Sequence, residues 1–455
     1  MTRAQVRTAL VVGLGTASAP FDTAVNIAFP DITAAFRLSL PDIQWVVVCY
    51  VLTYASLMLG FGRLGDIFGH RRVFAAGLVC NAVGLALCAA APSFGWFLAF
   101  RVVQGIGAAL TLACGPALMT LGFPEAQRGR MLAAYTMMFG LAAAAGPLIG
   151  GVLVDHGGWP AVFWFRIPIV LAGLLFLRGL GSTPLPTDRQ RVDLFGTALI
   201  AASLSALLLA PNRAGDAALF LGLAVIGLAV FVWHERRTAA PVIDLSLFRR
   251  GGFVFVNISG ILVQMAGFAV WMLTPYFLLQ VQTFSAGVGG LLLALSPLGM
   301  AVGGDLGGRA MRRLTTGRVA AAGAVLMAVA LLAMSGWSAG TGLIALIATL
   351  FLHGFGQGLF QVATLDIVVE TVPRAQRGVA GSLAMVTRTL GFVSGATVST
   401  LLFELMERQA LATGADRPVA FLAGHQTVFV WAGVIAGVCG AGLWFLGQRQ
   451  ARPVD

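Results

Sequence analysis

The chain has no lysine and few charged residues of any kind. Its 455 residues include 29 basic side chains, all of them arginine, and 18 acidic ones, so that 10% of the residues are charged. Soluble globular proteins carry about 25% charged residues. Because so few charges cannot cover the surface of a soluble chain of this length, a water-soluble enzyme is excluded.

Other residues and motifs that the sequence lacks exclude further kinds of protein. Without lysine, the phosphate-binding loop G-x-x-x-x-G-K-[ST] cannot form, so ATP is not expected to drive this chain. The five cysteines lie in apolar runs, are odd in number and form no C-x-x-C pair, which argues against a disulfide framework and a metal site. They are Cys49, Cys80, Cys88, Cys114 and Cys439. No cofactor is expected.

The chain is rich in long runs of apolar residues. Apolar residues make up 58% of the chain and occur in runs of about 20, the length of helix that crosses about 30 Å of hydrocarbon. The runs predict an all-α polytopic membrane protein with 14 transmembrane helices. The predicted spans cover residues 8–29, 43–61, 73–91, 94–121, 131–154, 160–181, 193–210, 217–233, 252–279, 285–304, 317–337, 341–365, 377–402 and 425–447.

The arginines divide unequally between the two sides of the predicted membrane. With the N-terminus inside, four lie in outer loops, three lie within spans (Arg101, Arg166 and Arg388), and the remaining 22 lie in cytoplasmic segments. Such an excess of basic residues is typical of cytoplasmic loops. The net charge of +11 therefore indicates topology rather than nucleic-acid binding, and it predicts that both termini are cytoplasmic.

An internal repeat is visible in the sequence. The segment P-E-A-Q-R-G at 124–129 recurs as P-R-A-Q-R-G at 373–378, and the G-I-G of 105–107 recurs at the same offset as the G-F-G of 354–356. Span 4 therefore corresponds to span 12. Two six-span halves would place the repeat six spans later, so the observed eight spans indicate that two spans are inserted between the halves.

This repeat predicts the domain plan. Residues 1–185 are expected to form a six-helix bundle, residues 186–250 two inserted helices with a cytoplasmic linker, and residues 251–455 a second six-helix bundle. Parallel repeats of six spans are the architecture of major-facilitator transporters, whose substrate site lies near the midplane between the halves.

Four segments carry the most specific patterns: GRLGDIFGHRR at 62–72, FDTAVNIAFP at 21–30, RVVQGIG at 101–107 and GLAAAAGPLIGG at 140–151. The first resembles the G-x-L-a-D-r-x-G-r-[RK] loop of the major facilitator superfamily. The others resemble the L-D-x-T-V-V-N-V-A-L-P, R-x-x-Q-G-x-G and G-x(5)-G-P-x-x-G-G motifs of its fourteen-span drug:proton antiporters. The resemblance covers the whole chain and implies the major facilitator fold, with pseudo-twofold related halves.

The loop between spans 2 and 3 is a candidate conformational latch. Gly62 and Gly69 permit a tight turn and a close approach of helices. Asp66 can pair with an arginine or a helix N-terminus in one of two rocking states, which would bias the transport cycle. Arg71 and Arg72 complete the pattern. Alternatively, the loop is a basic cluster that only fixes the orientation in the membrane.

Asp22 in span 1 and Arg101 in span 4 are the candidate proton-coupling pair. A charged, unpaired acid within a span is costly, so Asp22 is expected to be protonated, paired or exposed to water. At about 1.5 Å per residue, Asp22 lies about 21 Å above the inner face and Arg101 about 10 Å below the outer face. In a core of about 30 Å they share one level. Alternatively, they form a static bridge.

The span 5 motif is a smooth face of small residues that allows close helix packing and, by resemblance, indicates export. Its members are Gly140, Gly146, Pro147, Gly150 and Gly151. Alternatively, these glycines serve generic packing.

Further candidates carry weaker signals. His353 lies near the midplane of span 12 and is a candidate proton site. Aromatic and amide side chains are candidates for lining a substrate cavity. They are Asn26, Trp45, Tyr50, Tyr54, Gln264, Trp271, Tyr276 and Gln361. The segment WPAVFWFRIP at 159–168 resembles the W-R-W-I-F-x-I-N-x-P motif of the same family, with Arg166 in place of the small polar residue near the outer end of span 6. Arg166 is expected to extend outward from its span. Alternatively, it has a role in substrate binding. Asp305, Asp366 and Arg388 lie toward span ends and are left without an assigned role.

These patterns predict a monomeric, proton-coupled antiporter in a bacterial-type inner membrane, working by alternating access. The resemblance implies export of small apolar or cationic compounds, as in multidrug efflux and antibiotic resistance. Protons, a small-molecule substrate and the lipid bilayer are the expected partners. One alternative is an uptake or exchange facilitator of the same fold. The other is a non-transporting membrane sensor or scaffold.

Overall fold

The computed structural model describes residues 3–120, 123–177, 217–237, 251–371 and 377–450, together with residues 196, 199, 202, 203 and 206. All regular structure in these residues is helical. The first helices are α1 Arg3–Ala17, α2 Ala24–Ile27, α3 Phe29–Phe36, α4 Leu40–Phe68, α5 His70–Ala89, α6 Phe94–Thr120, α7 Glu125–Gly157, α8 Ala161–Trp164 and α9 Arg166–Leu177. The later ones are α10 Ala217–Glu235, α11 Gly251–Tyr276, α12 Ala286–Leu293, α13 Leu295–Ala310, α14 Thr316–Ser335, α15 Leu343–Thr371, α16 Arg377–Ala412 and α17 Arg417–Gln450.

Eleven helical stretches among the described residues are long and apolar enough to cross a membrane. They coincide with predicted spans 2 to 5 and 8 to 14. Span 1 is broken into α1, a 3₁₀ turn at Pro20–Thr23, α2 and α3, and span 6 is the shorter pair α8 and α9. Span 7, predicted at 193–210, lies mostly outside the described residues, so the count of 14 stays a prediction. The proposed domain boundaries at 185 and 250 also fall outside them.

The chain forms two compact units. The first comprises Met1–Leu38 and Trp45–Val242, and the second Ser39–Gln44 and Ile243–Asp455. In the first unit α1 packs against α7 and α9, while α5 packs against α6 and α9. In the second unit α11 packs against α16 and α17, while α14 packs against α15 and α17. When each span of the second unit is matched to the span eight places earlier in the first unit, the same pairs of spans are neighbours in both units.

The repeated glycines explain part of this shared packing. A Cβ on Gly105 of α6 would meet Thr53 of α4, and a Cβ on Gly107 would meet the backbone of α5. Correspondingly, a Cβ on Gly354 of α15 would meet the backbone of α13, and one on Gly356 the backbone of α14. In each unit the G-x-G pair therefore lets one helix approach two neighbours closely, as the repeat predicts.

Candidate functional site

The break in span 1 exposes a carboxyl group inside the first unit. Pro20 begins the 3₁₀ turn and Pro30 lies in the first turn of α3, so neither residue can donate a backbone hydrogen bond to continue a helix. Asp22 lies in the turn between them, and its side chain is 13% exposed. The sequence thus places an acid where span 1 is not a regular helix.

Arg101 of α6 donates two hydrogen bonds to this carboxylate. Its Nη1 donates to Oδ1 of Asp22 at 2.8 Å and its Nη2 donates to Oδ2 at 2.7 Å. The arginine side chain is fully buried, and its Nε donates to the carbonyl of Val46 at 2.8 Å. Gln104, one turn along α6, accepts from Arg101 at 2.7 Å and donates to Asp22 at 3.2 Å. The two side chains placed at one depth by helical rise are therefore in direct contact.

Arg166 does not extend outward, so this expectation was wrong. Its side chain is fully buried at the start of α9, and its Nη1 donates to Oδ1 of Asp22 at 2.7 Å. Its Nε donates to the carbonyl of Val162 at 3.0 Å, and its guanidinium lies 5.1 Å from the ring centre of Phe163. The buried carboxylate offers this cation an ion pair inside the unit, which extension toward the membrane surface cannot provide.

We call Asp22, Arg101, Arg166 and Gln104 the span 1 network. Two guanidinium groups surround one carboxylate, so the network carries a net charge of +1 when Asp22 is ionised. It joins span 1 to spans 4 and 6. Removing the charge of Asp22 would leave two buried cations without their counterion, which links the protonation of one group to the arrangement of three helices.

The span 5 motif packs on the same break. A Cβ on Gly146 would collide with Thr23, and a Cβ on Gly150 would lie 2.8 Å from the Cβ of Ala24. The hydroxyl of Thr23 donates to the carbonyl of Ala143 in α7 at 3.0 Å. The motif therefore faces α2 and the 3₁₀ turn, next to Asp22.

The other members of the span 5 motif differ in their surroundings. Pro147 and Gly151 are buried, whereas a Cβ on Gly140 would meet nothing within 4 Å. Gly140 therefore belongs to the sequence pattern without the tight contact of Gly146 and Gly150.

The segment at 62–72, expected as a loop with glycines at a tight turn, is helical except at Gly69, because it comprises the end of α4 and the start of α5. Gly69 separates α4 from α5 with a φ of 89°, a conformation that favours glycine. Oδ1 of Asp66 lies 3.2 Å from Nε2 of His70, one helical turn away. Arg71 is half-buried and Arg72 is exposed, and a Cβ on Gly62 would meet nothing within 4 Å. The sequence analysis missed His70 as a partner of Asp66, and the latch function stays a prediction.

The second unit contains a cluster of polar side chains. His353 is fully buried in α15, and its Nδ1 lies 2.9 Å from the hydroxyl of Ser296. Oε1 of Gln264 accepts from Gln361 at 3.4 Å and from Gln357 at 3.5 Å. The structure thus groups two of the predicted cavity residues, and the proton role of His353 stays a prediction.

The remaining candidates are placed as follows. The ring of Tyr50 lies 4.4 Å from the guanidinium of Arg101 and contacts the ring of Tyr54 edge-on at 5.2 Å. Asn26, Trp45 and Trp271 are half-buried, whereas Tyr276 is buried. Tyr50 and Tyr54 therefore border the span 1 network.

The three unassigned charges make local contacts. Asp305 pairs with Arg309 at 2.7 Å, with both side chains mostly exposed. Asp366 accepts a hydrogen bond from Thr316 at 3.4 Å, and Arg388 lies 5.8 Å from the ring of Phe392. These contacts give each of the three charges a structural partner.

Comparison with known proteins decides the family. The sequence model of the Major Facilitator Superfamily matches residues 11–251 and 256–454. The chain belongs to the Major Facilitator Superfamily. Its members are transporters rather than enzymes, so the chain is a multi-pass membrane transporter of small molecules, as the sequence predicts.

Curated relatives of this superfamily member carry transport and resistance names. The riboflavin transporter RibZ of Clostridioides difficile is 29% identical over 85% of each chain. The tetracenomycin C resistance and export protein of Streptomyces glaucescens is 30% identical over 86% of this chain and 74% of that protein. The probable actinorhodin transporter of Streptomyces coelicolor is 32% identical over 87% and 72%, respectively.

Solved structures of the superfamily share the fold. A bacterial homologue of the human lysosomal transporter Spinster, in an inward-facing conformation, aligns with a TM-score of 0.72 and 16% identity. The alignment covers 99% of this chain and 98% of that one. At this identity the likeness supports the major facilitator fold alone.

Proposed function

We propose that this transporter exports a small organic compound across a bacterial cytoplasmic membrane, driven by the proton gradient, as a monomer with both termini in the cytoplasm. The span 1 network carries the proposal, because it joins a carboxyl group of span 1, inside the membrane, to spans 4 and 6. Asp22 is the group that binds the proton. The segment at 62–72, where α4 meets α5, stabilises one of the two alternating states.

The network supports proton coupling by its chemistry. Ionised Asp22 accepts hydrogen bonds from Arg101, Arg166 and Gln104. A proton on this carboxyl group removes the negative charge that holds both guanidinium groups, so the links from span 1 to spans 4 and 6 weaken together. Because span 1 is already broken at Pro20–Thr23, a change of the turn can move Asp22 without unwinding a long helix.

Two observations favour export. Gly146 and Gly150 of the antiporter-like motif pack against the segment that carries Asp22, so the motif and the proton group form one structural unit. Several relatives are also named for resistance or export, although another is named a riboflavin transporter. Uptake or exchange by the same fold is the alternative outcome of the test below.

The charge of the network constrains the compound. With Asp22 ionised, the two arginines leave a net charge of +1 within the membrane interior. A cationic compound would be repelled from this point, so the cationic part of the sequence expectation is not retained for a compound bound at the network. Apolar and anionic compounds remain.

The proposal is tested by transport in proteoliposomes under an imposed pH gradient, against a panel of neutral, anionic and cationic aromatic compounds. Wild type is expected to move at least one compound faster with the gradient than without it. Asp22→Asn is expected to remove the gradient-dependent part. Asp31→Asn, a carboxyl group nine residues away and outside the network, is the matched control and is expected to retain it.

Three results would contradict the proposal. Equal rates with and without a gradient would exclude proton coupling. An Asp22→Asn variant with wild-type flux would show that the network has no part in the drive, as for a scaffold or a static bridge. Accumulation on the side opposite to the one expected would identify uptake instead.

A further inference from the structure

The two arginines of the span 1 network use their donors differently. Arg101 directs both Nη groups at Asp22. Arg166 directs only Nη1 at Asp22, with a longer contact from the same nitrogen to the carbonyl of Ser18 at 3.4 Å. Its Nη2 is buried and donates to no group in the part of the chain that the structure describes.

A buried, charged N–H group without an acceptor is unfavourable. Water no longer solvates it, and no oxygen among the described residues replaces the water. Arg166 is fully buried, so the cost applies in full. Such a donor is rare in folded proteins and calls for an acceptor outside the described residues.

The charge of the network specifies the kind of acceptor. One carboxylate faces two guanidinium groups, so a second anion would bring the network to neutrality, whereas a neutral oxygen would leave the excess positive charge in place. A guanidinium group also matches the geometry of a carboxylate or a sulfonate, which can accept from it with short, charge-assisted hydrogen bonds.

Aromatic rings border the site. The ring of Phe163 lies 5.1 Å from the Arg166 guanidinium. Phe165 and Phe21, the chain neighbours of Arg166 and Asp22, meet edge-on at 5.6 Å, and both are half-buried. Phe163 is fully buried, so an apolar, ring-containing body can pack only against the exposed parts of Phe21 and Phe165 while its acid group reaches the network.

We infer that the transported compound is an organic acid with an apolar or aromatic body, and that its anionic oxygen accepts a hydrogen bond from Nη2 of Arg166. This inference rests on the proposed transport function and gives its substrate class. It does not come from the resemblance, because the resembled span 6 motif has a small polar residue where Arg166 stands.

The acid and the proton bind to different groups in this arrangement. The acid binds to Arg166 and the proton binds to Asp22, so neither displaces the other from a shared atom. Their exchange depends instead on the rearrangement of the broken span 1. An acid that leaves as an anion is also driven outward by the inside-negative membrane potential, which assists export.

The test measures binding of three compounds with fused two-ring aromatic bodies of matched size to the purified, full-length protein by calorimetry. They are 2-naphthalenesulfonate, which is a permanent anion, 2-naphthalenesulfonamide, which is neutral, and N-methylquinolinium, which is a permanent cation. Wild type is expected to bind the sulfonate most tightly. Arg166→Asn is expected to weaken sulfonate binding by about tenfold to a hundredfold, the loss typical of one hydrogen bond to a charged group, and to leave the sulfonamide within about threefold.

Two further variants separate charge from folding. Arg408→Asn removes an arginine that is 76% exposed and outside the network, and it is expected to bind the sulfonate as wild type does. Arg166→Lys retains the charge but not the planar guanidinium group. This variant is expected to bind the sulfonate about tenfold more weakly than wild type does, but still more tightly than it binds the cation. This variant decides the question if Arg166→Asn does not fold, as judged by its thermal unfolding.

The outcomes distinguish the inference from the proposed function. Wild-type protein that binds none of the three compounds, or that prefers the cation or the neutral compound, overturns the inference even where gradient-driven transport is present. Unchanged sulfonate affinity in both Arg166 variants overturns it as well. Arg166-dependent sulfonate binding without gradient-driven flux supports the acid site and contradicts proton-coupled transport.

Discussion

Removing the charge of Asp22 should destabilise the protein far more than removing the charge of Arg166. Asp22→Asn leaves two buried guanidinium groups and a network charge of +2. Loss of one partner from a buried ion pair costs about 3–5 kcal/mol, because the remaining charge is uncompensated. Arg166→Asn leaves the two-hydrogen-bond pair of Asp22 with Arg101 and a network charge of zero.

The cost of Arg166→Asn follows from what it removes. The variant loses one 2.7 Å charged hydrogen bond and a ring contact, together about 2 kcal/mol, and it gains from the relief of the excess positive charge. A net loss of about 1–2 kcal/mol is expected. The double variant should be more stable than the sum of the two changes predicts, by about 1–3 kcal/mol, because the two charges interact directly.

The assay is reversible unfolding of the purified protein in mixed micelles at increasing dodecyl sulfate, followed by the fluorescence of its nine tryptophans. The double-mutant cycle uses wild type, both single variants and the double variant at one pH. The reasoning is refuted if Arg166→Asn is the more destabilising single change. It is also refuted if the two changes are additive within about 0.5 kcal/mol.

Gly150→Ala should destabilise the protein by about 1–3 kcal/mol in the same unfolding assay, since its Cβ would lie 2.9 Å from backbone atoms of Ala24. Gly140→Ala should not destabilise the protein, because a Cβ there would meet nothing within 4 Å. Equal losses at the two glycines would contradict the packing of α7 on the broken span. Just beyond span 1, partial burial and the nearby charge of Asp155 raise the pKa of Asp31. A raised pKa favours folding while the group is protonated and loses that contribution as pH rises, so Asp31→Asn should be more stable than wild type at neutral pH and equal to it in acid. An Asn variant that is less stable at neutral pH would reverse this sign.

The pairing of Asp22 with Arg101 was accessible from the sequence because helical rise and membrane thickness are nearly constant. Counting residues from the span ends placed both groups at one level, and the acid and base then had reason to meet. The glycine repeat was equally informative, since Gly105 and Gly354 lie where their helices approach a neighbour closely.

Arg166 could not be placed in the same way. Its position near the outer end of span 6 suggested extension toward the membrane surface, which is the usual behaviour of a long cationic side chain. The counterion that draws it inward lies in a 3₁₀ turn, where the regular rise of a helix no longer locates side chains. The departure from the resembled motif was the available signal, because an arginine inside a span requires a partner.

The contact between Asp66 and His70 shows a second limit. Their spacing of four residues is typical of a helical pair, but Gly69 lies between them and interrupts the helix. Sequence alone therefore suggested a turn rather than a side-chain pair. The structure brings the two side chains together across the junction of α4 and α5.

The central claim is that Asp22 carries the proton that is exchanged for the compound. The most direct test loads proteoliposomes with a transported compound and a trapped pH indicator, and records proton movement as the compound leaves. The account predicts that protons move in the direction opposite to the compound in wild type and in Asp31→Asn. It predicts no coupled proton movement in Asp22→Asn. Compound flux without proton movement in wild type, or proton movement that survives in Asp22→Asn, would contradict it.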